Sequence, residues 1–372
     1  MQIGIDARLP HYQMGGISRY VLQLLPALAA LDNVNEYIVF HSRKDATDRV
    51  PHQENFMRQD LWTPCHHRYE RWLLSLELVA RNLDVLHSPD FIPPVKAARR
   101  HIITVHDLTF LYYPQFLTEE SMGYYAGQIG WAVNHADRVI ADSEHTRQDL
   151  IKDLDVPAEK VVTVHLAADP QFANIAGNAQ AEQIQSTLRR YHLRPGFILF
   201  VGTLEPRKNI PTLLEAYAKL RRNTATTAPL IMVGRKGWLY DDVFATIDKL
   251  GLRPHVHHLS EVDDRELAHL YLSAALLALP SYYEGFGLSV LEAMHCRCPV
   301  LVSNRASLPE VVGQAGVLVE ADDVEGWAAA MKRVLADDNL RGQMIASGLR
   351  RAQQFSWSRT AAETRRVYEQ LA

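Results

Sequence analysis

Three cysteines in 372 residues are too few for a disulfide framework. No apolar run reaches the ~18 residues needed to span a bilayer, and no N-x-[ST] glycan acceptor occurs. Excess positive charge is also missing. The 39 Lys and Arg stand against 43 Asp and Glu, a net charge of −4, which argues against nucleic acid as the main partner and leaves room only for a local basic cleft. There is no G-x-S-x-G elbow, which weakens a hydrolase reading. What remains is ordinary globular composition, 47% hydrophobic and 22% charged, which excludes disorder and coiled coil. The length favours two domains, each able to bury a core. The opening MQIGIDARLP reads as a strand and not a signal peptide. The expectation is a soluble, cytoplasmic protein of two α/β domains, with surface binding to a membrane left open.

Short apolar runs at 3–7, 37–40, 85–87, 102–106, 139–141 and 161–166 predict strands. Residues 17–31 carry a helical stripe through Ile17, Val21, Leu24, Leu25, Leu28 and Leu31, and a second runs through Met122, Tyr125, Ala126, Ile129, Ala132 and Val133. Asp142 and Ser143 offer an N-cap before the helix at 147–154. Residues 42–64 have no clean period, and 169–186 are polar and read as an interdomain connection. A second series of strands follows at 197–201, 230–233, 256–259, 276–279, 300–302 and 316–319, and then a helical tail over 324–371 interrupted near Asn339 and Ser356. The alternation predicts two doubly wound parallel sheets. Such sheets in series should leave a cleft at their strand C-terminal ends.

The chemistry-bearing residues cluster after predicted strands. Gly15–Gly16 joins the first strand to the first helix, where exposed amides and the helix dipole can meet a phosphate or sugar oxygen, though a plain turn would look the same. Gly202-Thr203-Leu204-Glu205-Pro206-Arg207-Lys208-Asn209 follows the strand at 197–201. Two cations at a helix start oppose the dipole, so an anionic ligand, such as a diphosphate leaving group, explains them better than solvent. Glu284-Gly285-Phe286-Gly287-Leu288-Ser289-Val290-Leu291-Glu292 places Glu284 in a glycine-rich loop and Glu292 about one turn into a helix. Those carboxylates reach different parts of an extended ligand, and the amides of Gly287, Leu288 and Ser289 face its phosphates. His106, with Asp107 to orient it, ends another strand and can move a proton or bind a hydroxyl.

These motifs resemble the retaining glycosyltransferases of family 4, over essentially the whole chain. EGFGLSVLE is similar to that family's E-x7-E motif, GTLEPRKN to its phosphate-binding segment, and Gly15–Gly16 to its N-terminal glycine loop. The segment 233–238 and Phe355-Ser356-Trp357 are similar as well, and the spellings GRKGW and LEPRKN resemble the mannosyltransferase-like branch. The resemblance implies a GT-B fold: two Rossmann-like domains facing each other across a deep cleft. An acceptor domain over 1–170, a linker over 171–190, a nucleotide-sugar domain over 191–355 and a C-terminal helix over 356–372 returning to the first domain are expected. It implies a hexose, mannose favoured, moved with retention from GDP-mannose to a glycan or lipid-linked acceptor in cell-surface polysaccharide or glycolipid synthesis, with no cofactor and no metal. Glu284 would hold the donor sugar and Glu292 the ribose. Arg207 and Lys208 would neutralise the diphosphate, and His106 would lie near the anomeric carbon. Gly15, Gly16, Gly202, Phe286, Gly287, Leu288 and Ser289 would complete the donor site. His165-Leu166-Ala167-Ala168-Asp169 stands where relatives carry N-G-V-D.

UDP-glucose or another nucleotide hexose remains an alternative donor. A nucleotide-sugar epimerase or a non-catalytic binding protein on the same fold is an alternative function. Asp153-Leu154-Asp155 spells D-x-D at a helix end, away from any expected cleft, and His66–His67 and His255–His257–His258 lack zinc-site spacing. Cys296 and Cys298 read as buried. His66, His67, Arg68 and Arg71, followed by Trp72, Leu73, Leu74, Leu76, Leu78 and Val79, combine basic and apolar groups as a membrane-surface helix would, although an ordinary packed helix has the same pattern.

Overall fold

The computed structural model describes residues 1–12, 15–116, 119–224 and 228–371. The chain divides into two compact units: Met1–Tyr112, Glu119–Leu166 and Ser356–Ala372 form the first, and Tyr113–Thr118 with Ala167–Phe355 form the second.

The first unit is built on β1 (Gln2–Asp6), β2 (Glu36–Ser42), β3 (Phe56–Leu61), β4 (Leu83–Ser88), β5 (Ala98–Val105), β6 (Arg138–Ala141) and β7 (Val161–Thr163). They pair in parallel in the order β3-β2-β1-β4-β5-β6-β7. The central strands are apolar on both faces because helices cover both, so Ile3, Ile5, Val39, Val85, Ile103 and Val105 are fully buried. The stripe predicted over 17–31 is the helix Gly16–Leu31, with Val21, Leu24, Leu25 and Leu28 buried. Ser143 caps the helix Glu144–Asp153, its hydroxyl accepting the Thr146 amide at 3.1 Å.

The C-terminal helix Trp357–Glu369 completes this unit. Trp357 packs against Tyr20, and the buried Tyr368 hydroxyl meets His87 Nδ1 at 2.8 Å. His87 Nε2 bonds the Thr104 hydroxyl at 2.8 Å. Burial, and then the nearby charge of His106, push His87 down to about 3, so it stays neutral. Tyr368→Phe should therefore cost about 1–3 kcal/mol, because it leaves a buried imidazole nitrogen unpaired. Urea denaturation followed by circular dichroism checks this; an unchanged midpoint would show that the contact adds nothing.

The second unit contains β8 (Phe197–Val201), β9 (Leu230–Val233), β10 (Val256–Leu259), β11 (Ala274–Leu279), β12 (Val300–Ser303) and β13 (Val317–Val319). These are also parallel, in the order β10-β9-β8-β11-β12-β13. In both sheets the order reverses beside the first strand, at β1/β4 and at β8/β11, which is where open α/β sheets take ligands.

Three expectations need correction. The unpatterned stretch 42–64 contains β3, an edge strand in which only the end residues Phe56 and Leu61 are buried, so polar Arg58, Gln59 and Asp60 occupy its middle. The strand predicted over 161–166 ends at Thr163. Residues 171–190 are not a linker: they form the helices Pro170–Asn178 and Ala181–Arg190 within the second unit. Asp169 caps the first, with Pro170 beginning it, and only Phe172, Ala176, Thr187 and Leu188 are buried along the pair. So sparse an apolar stripe reads as a loop.

Candidate functional site

At the β8/β11 reversal the second unit gathers four charged side chains. After β8 the chain runs through Gly202 into the short turn Pro206–Lys208, which ends on Asn209 in the left-handed conformation at φ 51°. Asn209 holds that shape by donating its side-chain amide to the Pro280 and Ala321 carbonyls at 3.2 and 2.8 Å. The turn is held against the loop after β11, where the Tyr282 amide donates to the Arg207 carbonyl at 2.8 Å. Gly234 lets the ends of β8 and β9 close up: its φ is 150°, and a Cβ there would lie 2.0 Å from the Gly202 carbonyl oxygen.

Glu284 sits at the centre and is 7% exposed. Its Oε1 accepts from Lys208 Nζ at 2.5 Å and from the Ser281 hydroxyl at 2.7 Å, and its Oε2 accepts from Arg207 at 2.9 Å. Arg207 also pairs with the buried Glu205 at 2.6 Å. Burial alone would raise the Glu284 carboxyl; Lys208 and Arg207 outweigh that and hold it down at about 2. The four charges sum to zero, so the cations are already aligned by carboxylates before an anion arrives. Such a preorganised pair can stabilise charge developing on a leaving phosphate without reorganising.

Gly287, at φ 107°, starts the helix Leu288–His295 and supplies no side-chain cap. The first amides of a helix have no intrahelical acceptor, so this turn is suited to an anion. Glu292 is buried in the same helix and accepts from the Tyr271 hydroxyl at 3.1 Å. Gly287, Leu288 and Ser289 are partly exposed, whereas the Phe286 ring is buried edge-on against Phe355. Phe286 therefore shapes the loop through packing, and its carbonyl accepts from the Ser307 hydroxyl at 2.9 Å. Ser281, Ser307 and Tyr271, which hold these groups, carry no signal in the sequence, while Glu205 and Asn209 lie in the 202–209 segment with no role of their own assigned there. A lone serine or tyrosine distant in sequence gives no signal until the fold brings it near.

His106, Gly15 and Gly16 belong to the first unit. His106 is bound at both nitrogens, Nδ1 to Asp142 Oδ2 at 2.6 Å and Nε2 to the Pro89 carbonyl at 2.8 Å. Its carboxylate partner is Asp142 from the end of β6, not the adjacent Asp107, which accepts the Thr109 amide at 3.0 Å. Two acceptors on one ring favour the imidazolium, so this histidine is a fixed cation. Gly15 is extended and begins the helix Gly16–Leu31, and apart from adjoining residues and the helix's own backbone no described atom lies within 4 Å of a Cβ built on Gly15 or Gly16. Packing among the described residues therefore does not require glycine at either position. Among the described residues no three His, Cys, Asp or Glu are grouped to hold a metal. Asp153 of the D-x-D spelling accepts from the Tyr112 hydroxyl.

Two family descriptions match the chain, "Glycosyltransferase Family 4" over residues 14–172 and "Glycosyl transferases group 1" over residues 188–351. The O-antigen chain mannosyltransferase B of Escherichia coli is 32% identical over 382 residues, 97% of each chain. The serotype-specific mannosyltransferase WbdA of E. coli is 32% identical over 228 residues, 61% of this chain and 28% of that one. Among solved structures, sucrose-phosphate synthase from Thermosynechococcus elongatus superposes with a TM-score of 0.78 at 21% identity, over 100% of this chain and 98% of that one. Anabaena Alr3699/HepE in complex with UDP-glucose superposes at 0.73 with 18% identity, over the whole of both chains. At those identities the structures speak to the fold alone, whereas the full-length relative and the paired matches speak to descent. The chain is a member of the family 4 glycosyltransferases and has their GT-B fold.

Proposed function

We propose that the chain moves a mannosyl residue from GDP-mannose, with retention at the anomeric carbon, to a glycan or lipid-linked acceptor in cell-surface polysaccharide assembly. The observation that supports it most is the Arg207–Lys208–Glu284 cluster at the β8/β11 reversal. The full-length relative named as an O-antigen mannosyltransferase favours mannose.

In this reading the C1–O bond to the diphosphate breaks as the acceptor oxygen bonds to C1 on the same face. The acceptor proton passes to the departing phosphate oxygen. Lys208 and Arg207 meet the negative charge that grows on that oxygen, Glu284 takes hydroxyls of the donor sugar, and Glu292 takes the ribose. A thermal-shift panel of GDP-mannose, UDP-glucose and other nucleotide hexoses tests the donor. At 100 times its dissociation constant the true donor adds ~2.7 kcal/mol. Stabilisation by UDP-sugars and not by GDP-mannose would overturn the assignment.

For a lipid-linked acceptor, we propose that the first unit rests on an anionic membrane surface. No helix among the described residues is long and apolar enough to cross a membrane. The helix Glu70–Leu78 and its neighbours nevertheless expose Trp62, Trp72, Leu76 and Val79 at 71%, 60%, 75% and 54%. Glu77 ties that helix to Trp62 and Thr63 through their amides, making one face. Arg43 lies 3.5 Å above the Trp62 ring, and Arg68 lies 4.5 Å from the Tyr69 ring, so cations border the aromatic groups. The protein should float with phosphatidylglycerol vesicles but not with phosphatidylcholine ones, and Trp72→Glu/Leu76→Glu should abolish flotation. Binding that survives the double substitution would count against this face.

A further inference from the structure

Residues 234–238 follow β9 and lie against the segment after β8. The Leu204 amide donates to the Arg235 carbonyl at 2.8 Å, and the Gly237 amide donates to the Leu204 carbonyl at 3.0 Å. A Cβ on Gly237 would come within 2.8 Å of Thr203 Cγ2 and 2.9 Å of the Leu204 carbonyl oxygen, so glycine is needed for this close approach. The contact fixes where Trp238 stands.

Trp238 meets a turn from far away in the sequence. Tyr113–Phe116 belong to the second unit, although Met1–Tyr112 and Glu119–Leu166 belong to the first. Pro114–Phe116 form a single 3₁₀ turn, closed by the Phe116 amide on the Tyr113 carbonyl at 2.9 Å. Side chains three apart eclipse in such a turn. The Tyr113 and Phe116 rings therefore stack, 5.3 Å apart and 3° from parallel. Both also stack on Tyr282, at 5.9 and 6.1 Å. The Tyr282 hydroxyl is anchored on Asp322 at 2.6 Å. The Phe116 carbonyl accepts from Trp238 Nε1.

β9 and β11 pair with β8 on its two sides, so Trp238 and Tyr282 stand on the loops that flank Arg207 and Lys208. Phe116 holds both. The peptide it presses on is also the one tied to Arg207: the Tyr282 amide donates to the Arg207 carbonyl at 2.8 Å, and Arg207 donates to the Tyr283 carbonyl at 3.0 Å. Glu284 is the next residue. We propose that Phe116, with Tyr113, is a positioning residue for the transfer step: their turn splints the loops after β9 and β11 and so fixes Arg207 and Glu284 against the departing phosphate. The effect on turnover rests on the transferase reading; the splint itself rests on these contacts alone.

The test combines steady-state kinetics with hydrogen exchange read by mass spectrometry, on the full chain. Phe116→Ala removes the stack but no charge, so the loss should fall on charge stabilisation in the transition state. It should lower kcat by about 10–100-fold, with the KM for GDP-mannose within about twofold of wild type. Exchange at the Tyr282 amide should quicken by about fivefold or more. Phe116→Tyr keeps the ring and should restore both readouts. Trp238→Phe, which removes only the indole donor, should show the same split in milder form and serves if Phe116→Ala does not fold. A kcat within about twofold of wild type in Phe116→Ala, an equal loss in Phe116→Tyr, or unaltered exchange at Tyr282 would overturn the proposal. If wild type does not turn over GDP-mannose while exchange still responds to Phe116→Ala and not to Phe116→Tyr, the transferase reading falls and the splint stands.

Discussion

Lys208→Ala is expected to lower kcat/KM for sugar transfer by about 10²–10³-fold, the usual cost of removing one preorganised donor from a developing negative charge. The effect should be large because Lys208 is buried, where its field is little screened, and because Glu284 fixes it at 2.5 Å. Stability should fall as well, by about 1–3 kcal/mol, since Glu284 loses a partner while remaining buried. Arg207 still answers its other oxygen, which limits the loss. The two effects separate in the double variant Lys208→Ala/Glu284→Gln. Neutralising the carboxylate should recover most of the stability and none of the activity. Steady-state kinetics beside thermal unfolding of both variants decides it. A Lys208→Ala enzyme of nearly wild-type kcat/KM, or a double variant that regains turnover, would show that the cluster serves only to hold the loop.

The second large effect is on stability against pH, and it comes from His106. Burial by itself would depress this imidazole. The charge of Asp142, its hydrogen bond, the charge of Asp90 and the Pro89 carbonyl outweigh burial and hold the ring up at about 9, against an ordinary value of 6.5. Because the folded value is raised, its contribution is fully present below pH 6.5 and is lost as pH climbs through 9. That interval is worth about 3 kcal/mol. Burial pushes the Asp142 carboxyl up, and the charge and hydrogen bond of His106 oppose that shift. On the acid side His87 and His101 are pushed down to about 3 and about 4 by burial, so they take up protons on unfolding and stability declines below pH 6.5. Urea unfolding from pH 5 to 9.5 should show a maximum near neutrality. In His106→Gln the decline between pH 6.5 and 9 should flatten. If that variant does not fold, the wild-type ring can be followed by NMR, and a midpoint near 6.5 would contradict the assignment.

Much of this is legible in the sequence itself, and the reasons differ between elements. The central strands announce themselves because both faces are buried, as at Ile3, Ile5 and Val85, so apolar residues run together. Edge strand β3 does not, since the polar Arg58, Gln59 and Asp60 lie in its middle, where no residue is fully buried. The helices over 170–190 are hidden because each buries only two side chains, too weak a stripe to register. At the site, Glu284, Arg207 and Lys208 were legible as residue types that do not belong in a glycine-rich loop or a helix start without a ligand. Their direct pairing was not, because 76 residues separate Lys208 from Glu284. Likewise His106 was read with its neighbour Asp107, whereas parallel pairing of β5 with β6 delivers Asp142 from 36 residues away. Spacing along the chain identifies local pairs, and sheet order decides the distant ones.

The most direct measurement of the central claim is an NMR time course of GDP-mannose with the enzyme and an α-mannosyl oligosaccharide acceptor. The account predicts that GDP appears in step with one new α-anomeric signal on the acceptor, and that both vanish in Lys208→Ala. A β-anomeric product, or turnover of UDP-glucose under conditions where GDP-mannose stays intact, would contradict it.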